Sequence, residues 1–233
     1  MRFILASLLF GGAAAVSGQS IAGYDIQGNV ASGDGLTASV VDPVLSVSPF
    51  TIGAGLTGNS TFGFEANQFV GSGGVNQPDL ASAIADNDYF SFTVTPNAGA
   101  TFSASQFDGD ILFNHPDNAG EGSTFSAFFL SDATGFDENS SLGGLMELAV
   151  GSAEIYDFTI DLSSVGALQN VATPVEFRVY VAQSVSATFQ AVGFVGDDTS
   201  APDITLSGTA VPEPAAAGLL AAGAIALGLI RRR

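Results

Sequence analysis

An all-β fold, a single antiparallel β-sandwich of the jelly-roll kind, is what this sequence predicts, and three features predict it. Apolar and polar residues alternate with a period of two over several stretches, the pattern of a strand with one face in a core and the other in water. Glycine is abundant at 29 residues, and 19 phenylalanines stand against no tryptophan and no cysteine. That mix suits strands and tight turns better than a helical bundle. Clusters of Asn, Asp, Gly and Pro recur between the alternating stretches, where they supply turn chemistry. The chain has 233 residues. It divides into residues 1–18, residues 19–210 as the folded body, and residues 211–233. A body of about 190 residues is large enough for one domain with a substantial core.

In chain order, residues 1–18 come first. Met1 and Arg2 make a short positive start, 3–16 are an apolar run, and Ala13, Ala14, Ala15, Ser17 and Gly18 are small. This is the three-part order of a secretory signal peptide. Cleavage could fall after Ala15, Gly18 or Ala22; the Gly18–Gln19 bond is favoured, with Val16 and Gly18 as the small pair.

Within the body, Phe90, Phe92 and Val94 alternate with Tyr89, Ser91 and Thr93. Tyr156, Phe158, Ile160 and Leu162 alternate with Asp157, Thr159, Asp161 and Ser163. Val175, Phe177, Val179 and Val181 alternate with Glu176, Arg178, Tyr180 and Ala182. Each reads as a strand with one buried face. Shorter alternation marks 61–64, 101–107, 124–130, 187–195 and 204–211. Turns are expected at Pro96-Asn97-Ala98-Gly99, Asp108-Gly109-Asp110, Asn118-Ala119-Gly120 and Gly196-Asp197-Asp198. One short helical turn is expected within 163–171, and no amphipathic helix of ordinary length is evident. Strands at this spacing suggest a sandwich or jelly roll.

The last segment opens with Val211-Pro212-Glu213-Pro214. Two prolines here are expected to end the last strand and leave an extended, exposed stretch. Residues 215–230 come next without a polar side chain, and Arg231, Arg232 and Arg233 close the chain. Sixteen helical residues rise about 24 Å, short of a bilayer core of about 30 Å, a gap that snorkelling arginines and local thinning can close. The positive-inside rule places the arginine cluster in the cytoplasm and the body outside, the topology the signal peptide also implies.

This order of Val-Pro-Glu-Pro, short apolar helix and terminal arginines resembles the PEP-CTERM sorting signal. The resemblance implies processing by an exosortase, a membrane-embedded transpeptidase that removes the tail, much as a GPI signal loses its helix. It also implies an exopolysaccharide or biofilm setting. The body in turn resembles sandwich domains often found ahead of such tails, through Asp86-Asn87-Asp88-Tyr89-Phe90-Ser91-Phe92-Thr93-Val94, Val175-Glu176-Phe177-Arg178-Val179-Tyr180, and Ile204-Thr205-Leu206-Ser207-Gly208-Thr209. Gly135-Phe136 is similar to the middle segment of that group, although the Asp132-Ala133-Thr134 before it departs from the usual Ser-rich pattern.

Charge narrows the chemistry. There are 23 acidic residues against five basic ones, a net charge of −18. No lysine is present, and between the two terminal segments Arg178 is the only cation. Such a surface repels phosphate backbones, so no nucleic-acid partner is expected. Without cysteine there is no disulfide, thiolate metal site or cysteine nucleophile. The single histidine, His115, lies in Asn114-His115-Pro116-Asp117 and reads as a surface loop residue, without a Gly-x-Ser-x-Gly elbow or a second histidine for zinc. No catalytic residue, metal ligand or cofactor is therefore assigned, and the protein is expected not to be an enzyme.

The assigned residues are the sorting motif Val211, Pro212, Glu213 and Pro214 and the membrane-retention cluster Arg231, Arg232 and Arg233. The expected life history is export, transient anchoring in the inner membrane, then residence at the cell surface or in the matrix. The expected role is structural or adhesive. Signal peptidase and the exosortase are the expected partners during processing, and exopolysaccharide is a further candidate. A first alternative is a polysaccharide- or calcium-binding module. For calcium, Asp86 and Asp88 come first, because they abut the most regular strand; Asp108 with Asp110, and Asp197 with Asp198 and Asp203, offer similar hard oxygens. A second alternative is a glycan hydrolase, which needs two carboxylates flanking a cleft. Arg178, beside Glu176 and Tyr180, reads as one partner of a cross-strand ion pair.

Overall fold

The computed structural model describes residues 18–27, 29–30, 35–58, 68–72, 78–114, 124–149, 154–183, 191–197, 199 and 201–212. The expectations placed on 1–17, 61–64, His115, Asn118-Ala119-Gly120, Asp198, Glu213, Pro214, 215–230 and Arg231, Arg232 and Arg233 lie outside these residues. No helix among the described residues is long and apolar enough to cross a membrane.

The first half of the chain carries β1 Gln19–Tyr24, β2 Asn29–Val30, β3 Val40–Val41, β4 Leu45–Val47, β5 Thr51–Ile52, β6 Thr57–Gly58, β7 Gln68–Ser72, α1 Leu80–Asp86, β8 Tyr89–Pro96 and β9 Ala100–Asp108. The second half carries β10 Asp110–Asn114, β11 Thr124–Ser131, β12 Gly143–Ala149, β13 Glu154–Asp157, β14 Ile160–Asp161, β15 Val175–Gln183, β16 Ala191–Val195 and β17 Ile204–Pro212. The fold is all-β, in three mostly antiparallel sheets. The first runs β14-β9-β17-β1-β3, the second β13-β10-β16-β7-β2 with β6 also on β7, and the third β12-β11-β15-β8-β4 with β5 also on β8. Among the described strands, only β2 with β7 is parallel.

The first two sheets meet at a crease. β9 passes into β10 through Gly109, β13 into β14 through Phe158 and Thr159, and β16 into β17 through 196–203. In each sheet these three strands are neighbours, so three adjacent strands change sheet at one line. Gly109 has a steric reason to be glycine: a Cβ there would stand 3.1 Å from the Phe194 ring.

The third sheet faces the other two across a phenylalanine core. Phe107 of β9 stacks on Phe92 of β8 and on Phe129 of β11, with ring centroids 6.1 and 4.4 Å apart. Phe194 of β16 meets Phe90 of β8 edge-on at 5.4 Å. Phe50, just before β5, touches Tyr24, Phe69, Phe90, Phe92 and Phe194. Burying each such ring contributes roughly 2–3 kcal/mol, and well-oriented ring pairs add about 0.5–1.5 kcal/mol. Without disulfides, this cluster is the principal source of stability.

The alternation read from the sequence holds where one face is wet. Phe90, Phe92 and Val94 are buried while Ser91 and Thr93 are half-exposed. In β15 it holds from Val175 to Val179, and then Tyr180 and Ala182 are buried as well. The reason is α1, a two-turn helix that the periodicity does not predict. Its Leu80 and Ala83 pack with Leu130, Tyr180 and Ala182 over the outer face of the third sheet. The stretch of 156–162 is not one strand but two, in different sheets, broken at the crease where the Phe158 N–H donates to Gly109 O. The helical turn expected within 163–171 is the single 3-10 turn Gly166–Leu168. The last strand does not stop ahead of the prolines: β17 runs through Pro212, paired with Ala100 of β9. Among the described residues β1 pairs with β17 only as far as Gly208, so none of them forms a ladder with Pro212 on that side.

Candidate functional site

The Asp86–Asp88 corner is built by the end of α1. Asp79 caps the helix start, accepting from the Ser82 N–H at 2.9 Å and its hydroxyl at 2.7 Å. Asn87, at φ 63°, closes the other end in the left-handed conformation that asparagine tolerates. The Asp88 N–H then donates to Ala83 O at 3.0 Å, and the chain enters β8. Asp88 shares the parity of Phe90 and Phe92, so its side chain points inward, and it is 0% exposed. The segment 51–55 runs beside it, with Gly53 N–H donating to Tyr89 O at 2.7 Å and Gly55 N–H to Asn87 O at 3.1 Å. A Cβ on Gly55 would collide with both Asp88 Oδ1 and the Asp86 carbonyl oxygen, so glycine alone permits this approach. Neither carboxylate oxygen of Asp88 has a hydrogen-bond partner. Burial, reinforced by the nearby Asp86 charge, pushes the Asp88 carboxyl up to about 7.

The other acidic pairs singled out in the sequence come together at the crease. Asp110, Asp197 and Asp203 line one pocket of about 160 Å³ with Thr199. Asp203 accepts from the Ile26 N–H at 2.7 Å and the Asp197 N–H at 2.9 Å, pinning the two ends of the β16–β17 connection to the turn after β1. Asp197 accepts from the Thr199 N–H at 2.8 Å, and Asp108 accepts from Gln106 and Thr159 at 2.7 and 2.9 Å. These carboxylates are engaged in holding the crease. Asp110 stands directly opposite Asp157 across β10 and β13. Burial, then Asp157 and Asp197, raise the Asp110 carboxyl above its ordinary value. Burial also raises Asp203, although its two backbone donors pull the other way. Among the described residues, no three His, Cys, Asp or Glu side chains gather in a way that could hold a metal.

Arg178 is held on the outer face of the third sheet. Its Nε donates to Glu176 Oε1 at 2.8 Å and its Nη1 to the Tyr180 hydroxyl at 2.8 Å. Both partners lie two residues away on β15 itself, so the pair runs along the strand rather than across to a neighbour. The guanidinium sits 4.2 Å from the Tyr89 ring centroid and 4.0 Å from that of Phe136. Burial opposes its charge, but the bonds to Glu176 and Tyr180 outweigh that and raise its pKa further. Two of its five N–H donors and both faces of its plane are thus engaged within the fold.

Of the sorting residues, Val211 and Pro212 are described. Both are exposed, Val211 to 50%, at the end of β17. The glycines at 53 and 55, which shape the Asp88 corner, carry little signal in the sequence; the Gly-x-Gly spacing ahead of buried Leu56 is their only mark.

No family model matches the chain, and no curated protein matches it. Among solved structures it is similar to a Stig cyclase, FisC, from Fischerella sp. TAU, in complex with (3Z)-3-(1-methyl-2-pyrrolidinylidene)-3H-indole. The two are 9% identical with a TM-score of 0.28, over 84% of this chain and 100% of that one. Likeness at that level carries no argument about function.

Proposed function

We propose that this chain is an exported protein of the bacterial cell surface or extracellular matrix, sorted by an exosortase, with a non-catalytic structural or adhesive role. Its body is read as a single jelly-roll-like β-sandwich and 215–230 as a sorting helix. The observation that carries the reading is the compound tail: Val211-Pro212-Glu213-Pro214, then 215–230 without a polar side chain, then Arg231, Arg232 and Arg233. Two features of the fold support it. β1 begins at Gln19, the residue that cleavage after Gly18 leaves first. β17 ends with Val211 and Pro212 exposed, where a transpeptidase can reach the motif they begin.

Intact-mass analysis of the protein released from the surface of its producing bacterium tests this. The expected species starts at Gln19 and lacks the residues after the Val211–Pro214 motif. A double substitution of Pro212 and Pro214 by alanine is expected to leave the protein unprocessed in the inner membrane. Recovery of the full-length chain from the cytosol would overturn the reading.

A further inference from the structure

A fully buried carboxylate with no hydrogen-bond partner is among the least favourable groups a core can hold, and Asp88 is one. Asp86, the last residue of α1, lies two residues before it. The C-terminal end of α1, the negative end of its dipole, lies immediately before it. The Asp86 carbonyl oxygen and Asp88 Oδ1 lie side by side against Gly55, 2.3 and 2.1 Å from where a Cβ on that residue would stand. No lysine or arginine compensates: Arg178 is the only Lys or Arg between residues 19 and 210, and Glu176 holds it at 2.8 Å. A buried carboxyl without a hydrogen-bond partner, with a backbone carbonyl oxygen beside it and a second carboxylate two residues away, describes the surroundings of a cation.

We propose that this corner binds one Ca²⁺, through the buried Asp88 carboxylate and the Asp86 carbonyl oxygen, with the exposed Asp86 carboxylate closing the site from the solvent side. Water completes the roughly six to eight oxygens that Ca²⁺ takes. Calcium fits better than Mg²⁺, because a carbonyl and carboxylates fixed by a helix end and a strand start form an irregular set, whereas Mg²⁺ demands near-octahedral geometry. The ion would join α1, β8 and the 51–55 segment, three pieces brought together by backbone hydrogen bonds. The site stands independently of how the chain is sorted.

The full chain, purified in detergent and stripped with chelator, is titrated with Tb³⁺ while tyrosine is excited, since Tyr89 is the residue directly after Asp88. Emission is expected to saturate at one ion per chain and to be displaced by Ca²⁺. Asp88→Asn is expected to abolish it, and Asp86→Asn to weaken binding about tenfold. Calcium at a hundred times its Kd is expected to raise the Tm of the unsubstituted chain by about 5–10 °C, and that of Asp88→Asn not at all. Asp86→Asn, at an exposed position, carries the comparison if Asp88→Asn does not fold. The proposal is overturned if the unsubstituted chain shows no saturable response, or if both variants respond as it does, because the ion then sits on surface acids. Displacement of Tb³⁺ by Mg²⁺ as readily as by Ca²⁺ would overturn the assignment to calcium.

Discussion

Asp110 and Asp157 oppose each other across two strands with no cation between them, an arrangement that costs stability when both are charged. Because the folded protein raises the Asp110 carboxyl above 3.8, its contribution is fully present below that value and is lost as pH rises through the folded value. Asp110→Asn is therefore expected to match the unsubstituted protein near pH 3 and to be more stable by about 0.5 kcal/mol near pH 7. Urea denaturation at the two pH values measures the difference, and an equal effect at both would refute the charge argument. Arg178 gives the converse case. Arg178→Lys keeps the charge but loses the planar stack between Tyr89 and Phe136 and one of the two directed bonds, so a loss of about 1 kcal/mol is expected in the same assay. Glu176 and Tyr180 are foreseeable as its partners because residues two apart share a strand face. Phe136 is not, since it arrives from a connection between strands. Asp88 is legible in one respect: a charged residue in phase with Phe90 and Phe92 must either break the strand or be buried. Its lack of a partner needs the geometry of Gly55.

Elements with one wet face announce themselves in the sequence, and those with two covered faces do not. β8 and most of β15 alternate in sequence and in burial alike. All five residues of β16 are buried, as are the last four of β1, so neither shows a period of two. That is why alternation marks neither β1 nor β7; of the strand expected over 187–195, the described part is β16, and 187–190 lie outside the described residues. The helix α1 is too short for its period to register against background, although Asp79 and Asn87 are the capping residues it needs. The hairpin joining β8 to β9 is readable from its turn residues alone. There Ala100 N–H donates to Asn97 O at 2.9 Å, and Gly99 adopts φ 73° with open space where a Cβ would project. Nothing but backbone strain opposes a side chain at that point. Gly99→Ala is accordingly expected to cost about 1 kcal/mol, and Gly99→Asn less, since asparagine visits this conformation more readily. Thermal unfolding of the two variants separates strain from packing: if asparagine cost more than alanine, steric contact rather than φ would be at fault.

For the molecule as a whole, the crease and the last strand decide what can be removed. Turn residues mark the crease at Asp108-Gly109-Asp110, yet its nature is hidden, because a change of sheet and a reversal of direction use the same residue types. The sorting reading of the tail rests on residue order alone, and the fold bears on it only through β17, the last described strand. β17 lies between β9 and β1 in its sheet, and its final five residues pair with 100–104 of β9. If 213–233 serve as an address rather than as part of the body, a chain ending at Pro212 keeps every one of those pairings. Its Tm, with the signal segment also absent, is expected within about 2 °C of the longer chain, no more than about 1 kcal/mol for a domain of this size. A chain ending at Ser207 loses the pairing of Gly208 through Pro212 and uncovers Phe102 and Ala104 beneath them. At about 1 kcal/mol for each of about four or five lost backbone hydrogen bonds, the cost is roughly 4–5 kcal/mol before the exposed ring is counted. Parallel melts of the two truncated chains check both halves of the argument. A large loss already at Pro212 would mean that the apolar stretch belongs to the core and that the sorting reading has to be abandoned.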